Sequence, residues 1–417
     1  MRSINLKYLL LLHAVQLLHC IDPELMASSK KMEMKKKVLI LCGDYMEDYE
    51  VAVPFYALAA LGITVHCAAP GKSPGDTYLT AVHEFLGYDL YSELPGHHFT
   101  VNADFPAADP ASYDALIVPG GRSGEQLSID AEAVSLVKAF ASDLRRPLLL
   151  TCHSQLMLAA AGAMAGVRCT AFNSLRPVVE LAGGTWVEPE PWTICVSHDH
   201  ILTSLGWPAH AEILRQLLRA MGARVLGGRG QGVLFLCGDY VDDYEANVPF
   251  RALAGLGCRV EAACPTKRKG DACVTAIYDV GAASDEKRGH NFMVTIDWDD
   301  VHVDDYDCVV LPGGRSPELL VTHSKAVALV GEFAARGKLV ASIDQGHLLL
   351  AAAGLLKGKR CASGVPMRVI ASLAGAAVVE PEGAVADGNK LVTAASWPNL
   401  ADFIAHLVEL LGITVAF

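Results

Sequence analysis

Residues 148–156 read LLLTCHSQL. An apolar run ends at Cys152-His153, and a helical pattern starts at once over 154–162. Such a turn is a nucleophile elbow, which lifts one side chain above a sheet. A helix N-terminus there lowers a thiol's pKa and offers backbone N–H groups to an oxyanion. An ionised, accessible Cys152 would also oxidise readily. A cysteine in an apolar run is otherwise a packing residue, but strand C-termini are where open α/β sheets bind ligands. A second group follows the first apolar strand: Gly43-Asp44-Tyr45-Met46-Glu47-Asp48-Tyr49-Glu50. Asp44 fits a helix-capping role. Glu50, one to two turns into the helix on the side of Val53, is expected to be partly buried, with a raised pKa suited to general acid–base work.

These groups belong to a sequence written twice. Leu41–Gly62 matches Leu236–Gly257 at 16 of 22 positions. The offset is 195 residues at Cys42/Cys237, 193 at Gly121/Gly314 and 192 at Cys152/Asp344. A period that long means two whole domains rather than a solenoid. The duplication is its own control, because the second copy reads Ile343-Asp344-Gln345-Gly346 where the first reads Thr151-Cys152-His153-Ser154. Glu245 repeats Glu50, but Asp344 and Gln345 replace the thiol and the imidazole, so one working site per chain is expected.

The elements that must position these residues are buried parallel strands. In the first copy they are expected at 38–42, 63–68, 115–118 and 148–151, with helices after the acidic segment and at 131–142. In the second copy the strands fall at 233–237, 258–263, 308–311 and 339–343, with a helix at 324–335. Strand and helix alternation implies α/β sandwiches. The domains are placed at 35–222 and 232–417, with a glycine-rich, polar linker at 223–231 and an N-terminal extension at 1–34. Residues 8–20 are apolar but too short to span a bilayer. Met26 opens what looks like an ordinary cytosolic start, so a cytoplasmic protein is expected, with nucleus, plastid and export left open.

The chain has 417 residues, is 52% hydrophobic and 19% charged, and carries a net charge of −12. It can bury a large core, and its charge speaks against nucleic acid or a membrane surface as partner. Twelve cysteines without CxxC spacing read as reduced, buried thiols.

The GDYMEDYE segment, the PGGR turn at Gly121-Arg122 and the strand-Cys-His-helix elbow, in this order and in both copies, resemble the DJ-1/PfpI superfamily. The resemblance is strongest to tandem-domain plant proteins described as glyoxalase III. It implies flavodoxin-like α/β sandwiches, joined here as an intramolecular pseudo-dimer, with room for further self-association. It also implies activity on the small dicarbonyls methylglyoxal and glyoxal, giving D-lactate and glycolate without cofactor or metal. The triad would be Glu50, Cys152 and His153. Substrate-side positions would be Gly121, Arg122, His97 and His210, with Glu245, Asp344 and Gln345 as a degenerate second site. Ser154 departs from the family's usual glycine, which implies reduced activity if φ there is positive. His97, His98 and His290 are expected near the pocket rim. His198-Asp199-His200 has the look of a metal pair but lacks a third ligand. Two other readings stay open: a glutamine amidotransferase using His210-Ala211-Glu212, and a non-enzymatic redox sensor or chaperone-like protein using an oxidisable Cys152.

Overall fold

In the computed structural model the described residues are 36–417, apart from 88–89, 106–108, 280–285 and 380–382. The predicted extension and its apolar run lie outside them. Residues Lys37–Phe417 form one compact unit. Among the described residues no helix is long and apolar enough to cross a membrane.

In the first copy β1 (Lys37–Leu41) leads to α1 (Asp48–Ala60), β2 (Thr64–Ala68) and a hairpin of β3 (Thr77–Phe85) and β4 (Tyr91–Thr100). Then come β5 (Ala115–Val118), α2 (Ser123–Leu127), α3 (Ala131–Ala141), β6 (Leu148–Thr151) and α4 (Gln155–Ala160). The edge strand β7 (Cys195–His198), β8 (Ile201–Ser204) and α5 (His210–Ala220) close the copy. The sheet runs β2-β1-β5-β6-β8-β7, parallel except for the last pair. Counting parallel strands alone, this is the flavodoxin-like doubly wound order, with its switch point between β1 and β5. Loops leaving β1, β5 and β6 therefore converge at one end of the sheet. Strands β5 and β6 are buried along their whole length, which is why they read as unbroken apolar runs.

The second copy repeats the plan, with strands Gly232–Leu236, Arg259–Ala263, Cys308–Leu311, Leu339–Ile343, Leu391–Ala394 and Ala384–Asp387 in one sheet. Its first helix is α6 (Asp243–Gly255). Helices α1 and α6 pack on each other, and α5 and Leu400–Leu410 pack against them. One apolar cluster runs through this contact, holding Val38 and Ile40 of the first sheet together with Val233 and Phe235 of the second. The outer faces have separate cores. The expected linker is not all loop: Arg224–Leu226 pairs antiparallel with Thr414–Ala416. Its backbone groups are satisfied by the chain's far end, which no local pattern signals.

Candidate active site

Cys152 sits at the elbow between β6 and α4 with φ +56, a conformation that costs a non-glycine residue about 1–3 kcal/mol. Ser154 has φ −70, so its Cβ is tolerated. Its hydroxyl accepts from Thr151 N–H at 2.7 Å and donates to the Thr151 carbonyl at 2.8 Å, closing the turn. The elbow conformation survives in the second copy, where Asp344 has φ +49.

Glu50 lies on α1 and faces the elbow. Its Oε2 accepts from Gly120 N–H and from the Thr151 hydroxyl, each at 2.6 Å. Oε1 has no hydrogen-bond partner. A Cβ built on Gly206 would stand 3.1 Å from Oε1 and 3.7 Å from Cys152 Cβ, and one built on Gly120 would stand 2.8 Å from Oε2 and 2.5 Å from Cys152 Cβ, so the Glu50 carboxyl and Cys152 are packed against the same backbone. Burial, and then the charge of Glu47, push the Glu50 pKa up to about 8 against the Thr151 hydroxyl and the nearby backbone N–H groups of Gly120 and Trp207. The two donors with hydrogen-bond geometry, Gly120 N–H and the Thr151 hydroxyl, both fall on Oε2, so the proton of a neutral Glu50 belongs on Oε1. Helix α1 is capped by Glu47, whose Oε2 accepts from Glu50 N–H at 2.8 Å. The expected cap, Asp44, is exposed instead. Pro54 removes the helical bond that would reach the Glu50 carbonyl.

Cys152 is only 5% exposed as a residue. Burial and the Glu50 charge push its pKa well above the usual value, and backbone N–H groups of Gly121 and His153 only partly offset this. The expected lowering by a helix N-terminus is overturned. Helix α4 has six residues, and desolvation outweighs its dipole. His153 Nδ1 is 3.2 Å from Cys152 Sγ. Burial holds this imidazole at about 4, so it is neutral. Its ring stacks on Phe172 at 5.2 Å. Phe172 and Leu205, with Phe85, Tyr91 and Trp192 against them, form an apolar wall around the thiol.

The structure thus brings Glu50, Cys152, His153 and Gly121 together. It does not bring His97 or His210 to the same place. His97 is fully buried between the copies, 2.8 Å from Asp48 Oδ2 and stacked on Tyr244 of the second copy. His98 is exposed and meets Asp279 of the second copy. His210 is buried at the start of α5, where burial and then Arg251 and His290 lower its pKa. Glu212 is engaged by Arg215 and Gln216, so no His-x-Glu relay forms. Arg122 is tied to Glu93 at 2.9 Å and Glu125 at 3.1 Å, which makes it a loop anchor at the rim. His198 and His200 bond different partners, Arg168 N–H and the Phe140 carbonyl.

Sequence reasoning missed Thr151. The signal was present, because Thr151 is matched by Ile343 and the hydroxyl disappears together with the nucleophile. Glu245 accordingly keeps the Gly313 N–H, at 2.8 Å, without a hydroxyl at the elbow position. Burial pushes Asp344 up to about 6, and burial with nearby acids raises Glu245 well above the usual range, so the second elbow holds a cluster of acids. Also missed was the buried group Asp48, Asp243 and His290, whose ligand-type atoms lie close enough for a metal ion. Those atoms already serve one another and Tyr49, Tyr244, Thr80, Thr275 and Glu47, which makes the group an ionic network between the copies.

A doubly wound sheet with a cysteine elbow facing a buried glutamate defines a class of α/β sandwich proteins. The DJ-1/PfpI family profile matches residues 36–220 and again 231–410, and the chain belongs to that family. It is similar to the Arabidopsis thaliana proteins DJ-1 protein homolog E (50% identity, 92% of this chain and 99% of that one) and Protein DJ-1 homolog D (45%, 93% and 100%). Among single-copy relatives, Deglycase TK1284 of Thermococcus kodakarensis is 34% identical over 37% of this chain and 82% of its own.

Proposed function

We propose that the first copy converts methylglyoxal and glyoxal to D-lactate and glycolate without glutathione or cofactor, with Cys152 as nucleophile. The observation that carries this is Glu50: a buried carboxyl held near neutral pKa, packed beside Cys152 and anchored on Oε2 by Gly120 N–H and the Thr151 hydroxyl. The name deglycase borne by relatives fits chemistry on the same carbonyl compounds. After one proton leaves the Glu50–Cys152 pair, the thiolate attacks the aldehyde carbon while Glu50 protonates the aldehyde oxygen, giving a hemithioacetal. The carboxylate so formed removes the C1 proton and returns it to C2, while neutral His153 carries the hydroxyl proton from the first oxygen to the second. The product is a 2-hydroxyacyl thioester. Water cleaves it, releasing the hydroxy acid and its proton and restoring the thiol. Backbone N–H groups of Gly121 and His153 suit the oxyanion. A cysteine this buried favours a small electrophile, and a buried thiol of raised pKa is poorly suited to sensing peroxide.

The test is D-lactate release from methylglyoxal in the absence of glutathione and added metal. Cys152→Ala is expected to abolish it, and Glu50→Gln to lower it by roughly 10²–10⁴-fold. Turnover that survives Cys152→Ala would sink the reading.

A further inference from the structure

The second copy has lost its nucleophile and its histidine yet keeps its fold, its elbow and its contact with the first copy. The contact shows one thing that copy still does. His290, on the second copy's hairpin strand Glu286–Met293, is fully buried. Its Nδ1 is 3.1 Å from Asp243 Oδ2 and its Nε2 is 2.7 Å from Glu47 Oε1, across the boundary between the copies. The ring stacks on Tyr49 at 3.7 Å. Glu47 uses its other oxygen to accept Glu50 N–H at 2.8 Å, and Glu50 bonds Gly120 N–H and the Thr151 hydroxyl beside Cys152. Hydrogen bonds thus tie His290 to the Glu50 backbone through Glu47, and the Glu50 side chain carries the link on to the groups that flank the thiol.

The pseudo-symmetric half is the control. His97 corresponds to His290 and binds Asp48 as His290 binds Asp243, but its Nε2 has no hydrogen-bond partner. The residue matching Glu47 is Asp242, which caps α6 through Glu245 N–H and is one methylene shorter. The link is closed on the side that has the cysteine and open on the side that has Asp344.

We propose that His290 of the second copy is a positioning residue for the first copy's site: bridging Asp243 and Glu47, it fixes the α1 cap and thereby the Glu50 carboxyl against Cys152. The degenerate copy is then part of the active site rather than a structural companion. This rests on the assignment of Glu50 and Cys152 as the reacting pair. Charged and titratable groups bearing on the same region are Asp243, Glu47, Asp48 and Glu84 on one hand, and His83, His210 and Arg251 on the other.

The test is the pH dependence of Cys152 alkylation by iodoacetamide in the full chain, followed by mass spectrometry of the Cys152 peptide, with methylglyoxal kinetics alongside. In His290→Asn, Glu47 loses its compensating cation, the field at Glu50 becomes more negative, and the profile should move to higher pH by at least half a unit. Glu47→Gln removes the negative charge and keeps an acceptor for Glu50 N–H, so the profile should move to lower pH. His97→Asn loses an equivalent buried ion pair with Asp48 and should leave the profile in place. Turnover in His290→Asn should fall at least tenfold in kcat with KM within threefold. An unshifted His290→Asn profile, or an equal shift in His97→Asn, overturns the proposal. If His290→Asn does not fold, Glu47→Gln decides, and an unshifted profile there overturns it. Wild-type protein that alkylates normally but does not turn over methylglyoxal would remove the proposed activity and leave the alkylation result standing.

Discussion

Glu50 and Cys152 are buried side by side, and burial disfavours the charged form of each. Their shared proton inventory therefore sets reactivity. With Glu50 near 8, both groups are protonated at neutral pH, and the reactive form gains population as pH rises. Methylglyoxal turnover is expected to climb roughly tenfold per pH unit below that value and to level off above it, which a kcat/KM profile would show. Thr151→Val is nearly isosteric but removes a donor to Glu50 Oε2. The plateau should then begin at higher pH, and a profile unchanged from wild type would mean the hydroxyl is idle. The same carboxyl affects stability. Its folded pKa is raised above the ordinary 4.5, so its contribution is fully present below pH 4.5 and lost as pH rises through 8. Glu50→Gln should therefore raise the melting temperature at pH 8 by several degrees and change it little at pH 4.5.

The loops leaving β1, β5 and β6 converge only because two glycines let backbone pass close to the reacting groups. A Cβ on Gly120 would meet Cys152 Cβ at 2.5 Å, the Thr151 carbonyl at 2.6 Å and Glu50 Oε2 at 2.8 Å. Gly121, at φ +70, lies against the Tyr45 carbonyl and the backbone of Met46 and Glu47. Gly120→Ala should cost roughly 1–3 kcal/mol of stability in thermal melts and remove most turnover, since Glu50 and Cys152 must separate to admit the methyl. A fully active Gly120→Ala would show that this packing is looser than drawn. Much of this was legible in the sequence. Strands 115–118 and 148–151 were placed residue for residue, because strands buried on both faces are unbroken apolar runs. The elbow was legible from the abrupt change to helical spacing after Cys152. The hairpins β3–β4 and Ala272–Tyr278 with Glu286–Met293 were not assigned. Their inward polar residues include His97 and His290, which are buried against the other copy, and a local pattern cannot show a partner about 200 residues away. The thiol's pKa was misjudged for a related reason. Dipole and motif are visible in sequence, whereas desolvation depends on Phe172, Leu205 and Trp192 arriving from elsewhere.

Between the copies lies a buried network whose charges come from both. Burial disfavours His290 as a cation, but Asp243 and Glu47 outweigh it and hold the imidazolium up to about 10. Burial likewise opposes ionisation of Asp48, yet His97, His290 and Thr80 hold it down at about 2. Replacing either partner alone would strand a buried charge, which is far costlier than an exposed pair would suggest. The sign of the pH dependence follows from each shift. His290 is raised above an ordinary 6.5, so its stabilisation is complete below pH 6.5 and lost as pH rises through 10. Asp48 is lowered from 3.8, so its share is present above pH 3.8 and lost as pH falls through 2. The second elbow adds to the alkaline limb. Burial raises Asp242 to about 7 and Asp344 to about 6, so the stability of their neutral forms is present below pH 3.8 and lost as pH passes those values. All the raised groups pull in one direction, and the protein should be most stable near pH 4, more acidic than the range in which its site reacts. Melting temperature measured from pH 3 to 10 should peak there and fall by several degrees by pH 9. A flat profile from pH 5 to 9 would mean that the network is solvated or neutral, and that the copies are held together by the apolar contact of α1 and α6 alone.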